Sequence, residues 1–220
     1  MLSPIEMMVC CAMLATPPAI PGDDGLPLQN LSPGQSDALI DQALFAGQAS
    51  MSPFDSVLML GPAGGPPASS ASMNWMADFR YGWSMTWEPS LQQLAMEVRE
   101  TATDTTIVDW SVSLEGLSSL IFQVAAEDAS VVVDNWVING EPLGQTLFAD
   151  ATSSRMDLML DDYDLESSWR LKGNIRFDWE GSLPDSAAAA FSIYGIPVPA
   201  PSAVLALVAF ALVGSRRRPS

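Results

Sequence analysis

From Met73 onward the chain alternates. Met73, Trp75, Ala77, Phe79, Tyr81, Trp83, Met85 and Trp87 are apolar, and six of the seven residues between them are small or polar. Successive side chains of a strand point to opposite faces, so a period of two writes a sheet with one dry face and one wet face. A run of this length exceeds an ordinary strand, which places a bend or turn near Arg80–Gly82. The same period returns in Thr105–Leu114, where Thr106, Val108, Trp110, Val112 and Leu114 face one way. Ser118–Ala126 repeats it with Leu120, Phe122 and Val124. In Trp169–Glu180, Leu171, Gly173, Ile175, Phe177 and Trp179 oppose Arg170, Lys172, Asn174, Arg176, Asp178 and Glu180.

Two further segments need their neighbours to be read. Leu91–Glu100 fits a helix through Leu91, Leu94, Ala95 and Val98, and a strand through Leu94, Met96 and Val98. The flanking strands favour strand. Ser130–Asn139 is nearly all apolar, as a strand covered on both faces would be, and it ends in the turn signal Asn139-Gly140. With Ala188–Tyr194 this makes about eight short strands over Met73–Tyr194. The expected fold is all-β, a two-sheet antiparallel β-sandwich of jelly-roll-like type over 73–195, followed by a C-terminal hydrophobic helix. Residues 20–72 read as a low-complexity linker with a short helix at Ser36–Phe45 capped by Ser36, and Gly61–Ser72 as a long loop.

Composition narrows the chemistry. The chain has no histidine, and its cysteines are the adjacent Cys10 and Cys11. Ser-His-Asp and Cys-His catalysis and histidine-ligated zinc or haem are therefore excluded, as is a disulfide framework in the body. Twenty-six acids against nine bases give a net charge of −17, which argues against nucleic acid as a partner. No phosphate-binding loop and no nucleophile elbow occurs, no acid pair stands out as a glycosidase dyad, and no cofactor is implied.

Both ends look like addresses. Met7–Ala15 has the length of the apolar core of a signal peptide, although Met1–Glu6 carries no base; residues 1–19 are read as an export signal, with Ala15 or Ala19 before the cut. At the other end, Val198-Pro199-Ala200-Pro201-Ser202 is followed by the uncharged run Ala203–Val213 and then by Arg216-Arg217-Arg218. Val198–Gly214 counts 17 residues, about the shortest length that spans a bilayer, and the arginines after it belong on the cytoplasmic side.

This tripartite tail, 198–218, resembles the PEP-CTERM sorting signal of bacteria, with Ala200 where the middle residue is usually Glu. The resemblance implies export, transient anchoring in the inner membrane by the tail helix, and cutting near the motif by an exosortase-type enzyme, with delivery to the cell surface or the extracellular matrix. A plain membrane anchor is the alternative. The tryptophan-marked first strands, Val131–Pro142 and Trp169–Gly195 resemble the choice-of-anchor type of bacterial surface domain, class W. That resemblance implies a β-rich exported domain with no assigned activity and no catalytic residues.

Two binding sites are candidates. The acids Asp157, Asp161, Asp162, Asp164 and Glu166 are close enough in sequence to offer oxygens to calcium, but they lack the EF-hand pattern, and a solvated acidic turn explains them equally well. Trp75, Trp83 and Trp87 fill a core or, if exposed, stack on sugar rings. The reading taken is a non-enzymatic exported surface or matrix protein, associated with extracellular polysaccharide. The alternative is a carbohydrate-binding module that uses exposed tryptophans.

Overall fold

Alternation becomes strand throughout the body. The computed structural model describes residues 25–198, apart from 102. Within them the order is β1 (Leu28–Leu31), α1 (Pro33–Ile40), β2 (Phe45–Met51), β3 (Val57–Gly61), β4 (Ser69–Ser72), β5 (Phe79–Glu88), β6 (Gln93–Arg99) and β7 (Thr105–Ser111). Then come β8 (Leu117–Glu127), β9 (Ser130–Ile138), β10 (Glu141–Pro142), β11 (Leu147–Ala149), β12 (Arg155–Leu160), β13 (Trp169–Asp178) and β14 (Ala188–Pro197). They form two sheets. The first runs β1-β12-β8-β14-β2-β3-β4; the second runs β10-β9-β13-β5-β6-β7, with β11 also pairing with β9. All pairings are antiparallel.

The dry faces of the two sheets meet. Trp83 of β5 packs edge-on against Phe191 of β14, with ring centroids 4.8 Å apart. Phe122 of β8 meets Trp136 of β9 at 4.7 Å and 87°. Offset and edge-to-face geometries are the favoured ones for such rings, and they join the sheets into one core. Leu91–Glu100 is indeed strand: Leu94, Met96 and Val98 of β6 are buried beside Trp87, Met85 and Trp83. In a helix Met96 would lie about 200° round from Leu94, on the side opposite Leu94 and Val98.

Three expectations change. First, no bend falls at Arg80–Gly82, because β5 is paired on both sides there, Gly82 opposite Arg99 of β6 and Asn174 of β13. The reversal comes earlier, at Ala77–Asp78, where Asp78 takes φ 56° and the Tyr81 hydroxyl accepts the Met76 N–H at 2.8 Å. Aspartate tolerates that left-handed conformation better than most residues.

Second, the stretch 20–72 is no linker where it is described. It supplies β1 to β4 and α1, and Leu58 and Leu60 of β3 belong to the core. β2 and β4 are rich in Gly, Ala and Ser, and at Gly47 of β2 space is short: a Cβ there would run into the Met85 methyl of the facing sheet. Third, the short helix begins at Pro33 rather than Ser36 and ends at Ile40. Proline is welcome in the first turn, where its missing N–H is not needed, and the Gln35 side chain accepts the Ser32 N–H at 3.0 Å. The expected C-terminal helix and the leader 1–19 lie outside the described residues. Among those described, no helix is long and apolar enough to cross a membrane.

Candidate functional site

The tryptophans do not form a platform. Trp75, Trp83 and Trp87 are 6%, 3% and 4% exposed, and they fill the core. The alternation that marked them aims them at the opposite sheet. Trp75 donates its indole N–H to the Ser50 carbonyl at 2.8 Å, and only its edge lines a cleft shared with Phe54 and Trp179. Trp136 and Trp169 are also buried, while Trp110 and Trp179 are half-buried. A sugar-stacking surface made from Trp75, Trp83 and Trp87 is thereby overturned.

The acidic cluster also separates. Asp157 lies on β12 with its carboxylate buried beneath α1. It accepts from Ser36 Oγ at 2.8 Å and Gln123 Nε2 at 3.0 Å, and pairs with Arg155 at 2.7 Å. Asp161 accepts from Ser119 at 3.0 Å. Asp164 closes its own turn, and hydrogen bonds from Ser167, hydroxyl first and then backbone N–H, hold its carboxyl below the usual carboxylate range. Asp162 and Glu166 point into solvent. Among the described residues no three acids converge as a metal cage. The strand end at Leu160 divides the set, leaving Asp157 inside the sheet and the others in the loop after it.

Asp157 thus carries a structural load. Removing it takes away the buried acceptor that Ser36, Gln123 and Arg155 share, leaving Arg155 with Ser36 and Asp37, each at 2.7 Å. Asp157→Ala should lower unfolding free energy by about 2–3 kcal/mol in urea titrations, against about 0.5 kcal/mol or less for Asp161→Ala. Equal effects of the two would remove this role.

The unexpected feature is where the bases go. Residues 25–198 contain six: Arg80, Arg99, Arg155, Arg170, Lys172 and Arg176. Five of them, all but Arg155, lie on the outer face of the second sheet. The pairing register assembles them. Arg176 stands opposite Arg80, and Asn174 opposite Gly82, which is itself opposite Arg99. Lys172 stands opposite Ser84, and Arg170 opposite Thr86.

Three of the five are neutralised. Arg80 pairs with Asp134 at 2.9 Å, Arg176 with Asp78 at 2.7 Å, and Arg99 with Glu97. Arg170 and Lys172 form no ion pair among the described residues. Among the described residues, the one hydrogen bond of the Arg170 guanidinium is at 3.5 Å, to the hydroxyl of Ser84, a serine only 6% exposed.

A groove of about 310 Å³ runs along this face between Glu97 and Arg99 on one side and Asn135 and Val137 on the other. Its floor is low because Gly82 has no side chain and because β9 bulges. Asn135 takes φ 51°, and the register between β9 and β13 slips between Lys172 and Asn174. A bulge of this kind bends its strand. Here it presses Trp136 toward Gly173, where a Cβ would sit 2.7 Å from the Trp136 Cβ. Asn135 and Asn174 each donate their amide to Asp134 at 3.2 Å, which leaves both amide oxygens free as acceptors. The groove therefore offers two unpaired cations, a hydroxyl and amide carbonyls, a set able to bind a hydroxyl-bearing anion. No protein-family model and no curated protein matches this chain.

Proposed function

We propose that the chain is an exported, non-enzymatic bacterial surface or extracellular-matrix protein, delivered by a PEP-CTERM-like tail that an exosortase-type enzyme processes. The supporting observation is how the sandwich meets the tail. β14 is an interior strand of the first sheet, between β8 and β2, and it runs to Pro197. Val198, the first residue of the tail motif, makes the closing hydrogen bond of the body, from its N–H to the Gly116 carbonyl at 2.7 Å. A cut just after this point leaves every strand of the sandwich in place. Of the motif, only Val198 is described; Pro199, Ala200, Pro201, Ser202, Arg216, Arg217 and Arg218 lie outside the described residues.

Intact-mass measurement on the protein recovered from the envelope or medium tests the reading. The expected mass lacks the residues that follow about Val198–Ser202. Recovery of chains that still carry Arg216–Arg218 would replace sorting with permanent anchoring.

A further inference from the structure

We propose that the groove on the outer face of the second sheet binds an acidic saccharide, with Arg170 and Lys172 engaging a uronate carboxylate and Ser84, Asn135 and Asn174 engaging ring hydroxyls. The argument begins from charge. The protein carries −17, and a random scatter of six bases would not place five on one sheet face. Acids share that face, Glu97, Asp109, Asp134 and Asp178 among them, but the groove keeps Arg170 and Lys172 without an acidic partner among the described residues and is thus a small basic island in an acidic surface. An anion finds attraction there and repulsion elsewhere, which favours a short anionic stretch over a long polyanion wrapped around the body.

Two of the island's cations are uncommitted, and they are adjacent on one side of β13, two residues apart. Arginine offers a carboxylate a two-pronged donor, and lysine adds a point charge. Glu97 faces the groove as well, but Arg99 already pairs with it, and Asp134 is held by Arg80, Asn135 and Asn174.

The remaining groups select among anions. Sulfate can only accept hydrogen bonds, and inorganic phosphate near neutral pH keeps only one or two O–H donors, so neither serves the amide oxygens of Asn135 and Asn174 as well as a polyhydroxylated ring does. A sugar hydroxyl both donates and accepts, so it satisfies these oxygens and the buried Ser84 hydroxyl together. Gly82 leaves bare backbone on the floor, where a ring can approach the sheet closely, and Val137 gives one apolar wall. A volume of about 310 Å³ is at the small end of ligand sites, which commonly span about 300–1,000 Å³. This site is independent of the sorting tail, so either can fail without the other.

The test is calorimetric titration of the full chain with di- and trigalacturonate, their methyl esters, inorganic phosphate and a glutamate-rich peptide. The acid sugars should bind, with affinity falling as sodium chloride is raised. The methyl esters should bind at least about tenfold more weakly, having lost the charge that Arg170 and Lys172 recognise. Arg170→Gln combined with Lys172→Gln should weaken binding by about tenfold or more while leaving the thermal midpoint unchanged, since both side chains are exposed. Arg155→Gln, away from this face, should leave binding intact. The proposal is overturned by no heat of binding with the acid sugars, by esters that bind as well as acids, or by full affinity in the double variant. Phosphate or the peptide binding as tightly as the sugars overturns it too, by reducing the groove to a general anion site.

Discussion

A chain that stops at Asp185 should show no cooperative unfolding transition, whereas one that stops at Val198 should melt as the full chain does. The difference is β14. It is paired along its length with β8 on one side and β2 on the other, so its loss splits the first sheet into two pieces. It also removes Phe191, Ile193 and Ile196, all buried. Each such side chain contributes about 1.5–3 kcal/mol, so their burial alone is worth roughly 5–9 kcal/mol, comparable with the whole stability of many domains at about 5–15 kcal/mol. Removing residues beyond Val198 takes away none of these contacts. Circular dichroism melts of the two truncations check the expectation. A cooperative melt of the shorter chain would mean that the second sheet folds alone.

The second large effect is expected at Trp136. It is buried at 2% exposure, meets Phe122 edge-on at 4.7 Å, and donates its indole N–H to the Gln145 carbonyl. Trp136→Ala should destabilise by about 3–5 kcal/mol in urea, from lost transfer energy and the cavity left behind. Gly173→Ala gives the complementary experiment. Its new Cβ meets the Trp136 Cβ at 2.7 Å and Cα at 3.0 Å, atoms that a shortened side chain keeps. It should therefore cost about 1–3 kcal/mol even in the Trp136→Ala background. If Trp136→Ala relieved the Gly173→Ala loss entirely, the crowding would lie with the indole and not with the bulged backbone.

These two sites also mark what local sequence can and cannot say. The alternation in β5, β7, β8 and β13 was plain because large apolar side chains recur at every second position, with few interruptions such as Gly173 in β13 and Thr106 in β7. β2 and β4 were hidden because they are rich in Gly, Ala and Ser, and β3, with Leu58 and Leu60 inward, because it is short and set among Pro and Gly. On β9 the phase itself misleads. Val131 and Val133 face inward, and strict alternation would bring Asn135 after them; the left-handed turn at Asn135 brings Trp136 and Ile138 instead. The inward place of Trp136 therefore cannot be read by counting alternate residues from Val131. The basic face was half legible. Arg170, Lys172, Asn174 and Arg176 share one side of a strand in the sequence alone. That Arg80 and Arg99 join them depends on the register of β5 and β6, which only the folded sheet supplies. Asp157 was misread for a related reason: its partners Ser36 and Gln123 are 121 and 34 residues away.

The place of β14 has a further consequence, one of timing. Among the described strands it is the last to leave the ribosome, yet it belongs between two that were made much earlier. Until it arrives, β8 and β2 have no partner on their facing edges, and the first sheet cannot close. Contacts so distant along the chain form slowly. A polypeptide threaded through a membrane pore from its N-terminus would thus remain unable to complete its fold until nearly all of the body had crossed. For a chain exported as proposed above, the sheet order would act as a delay, keeping it threadable during passage and letting it close once it is outside.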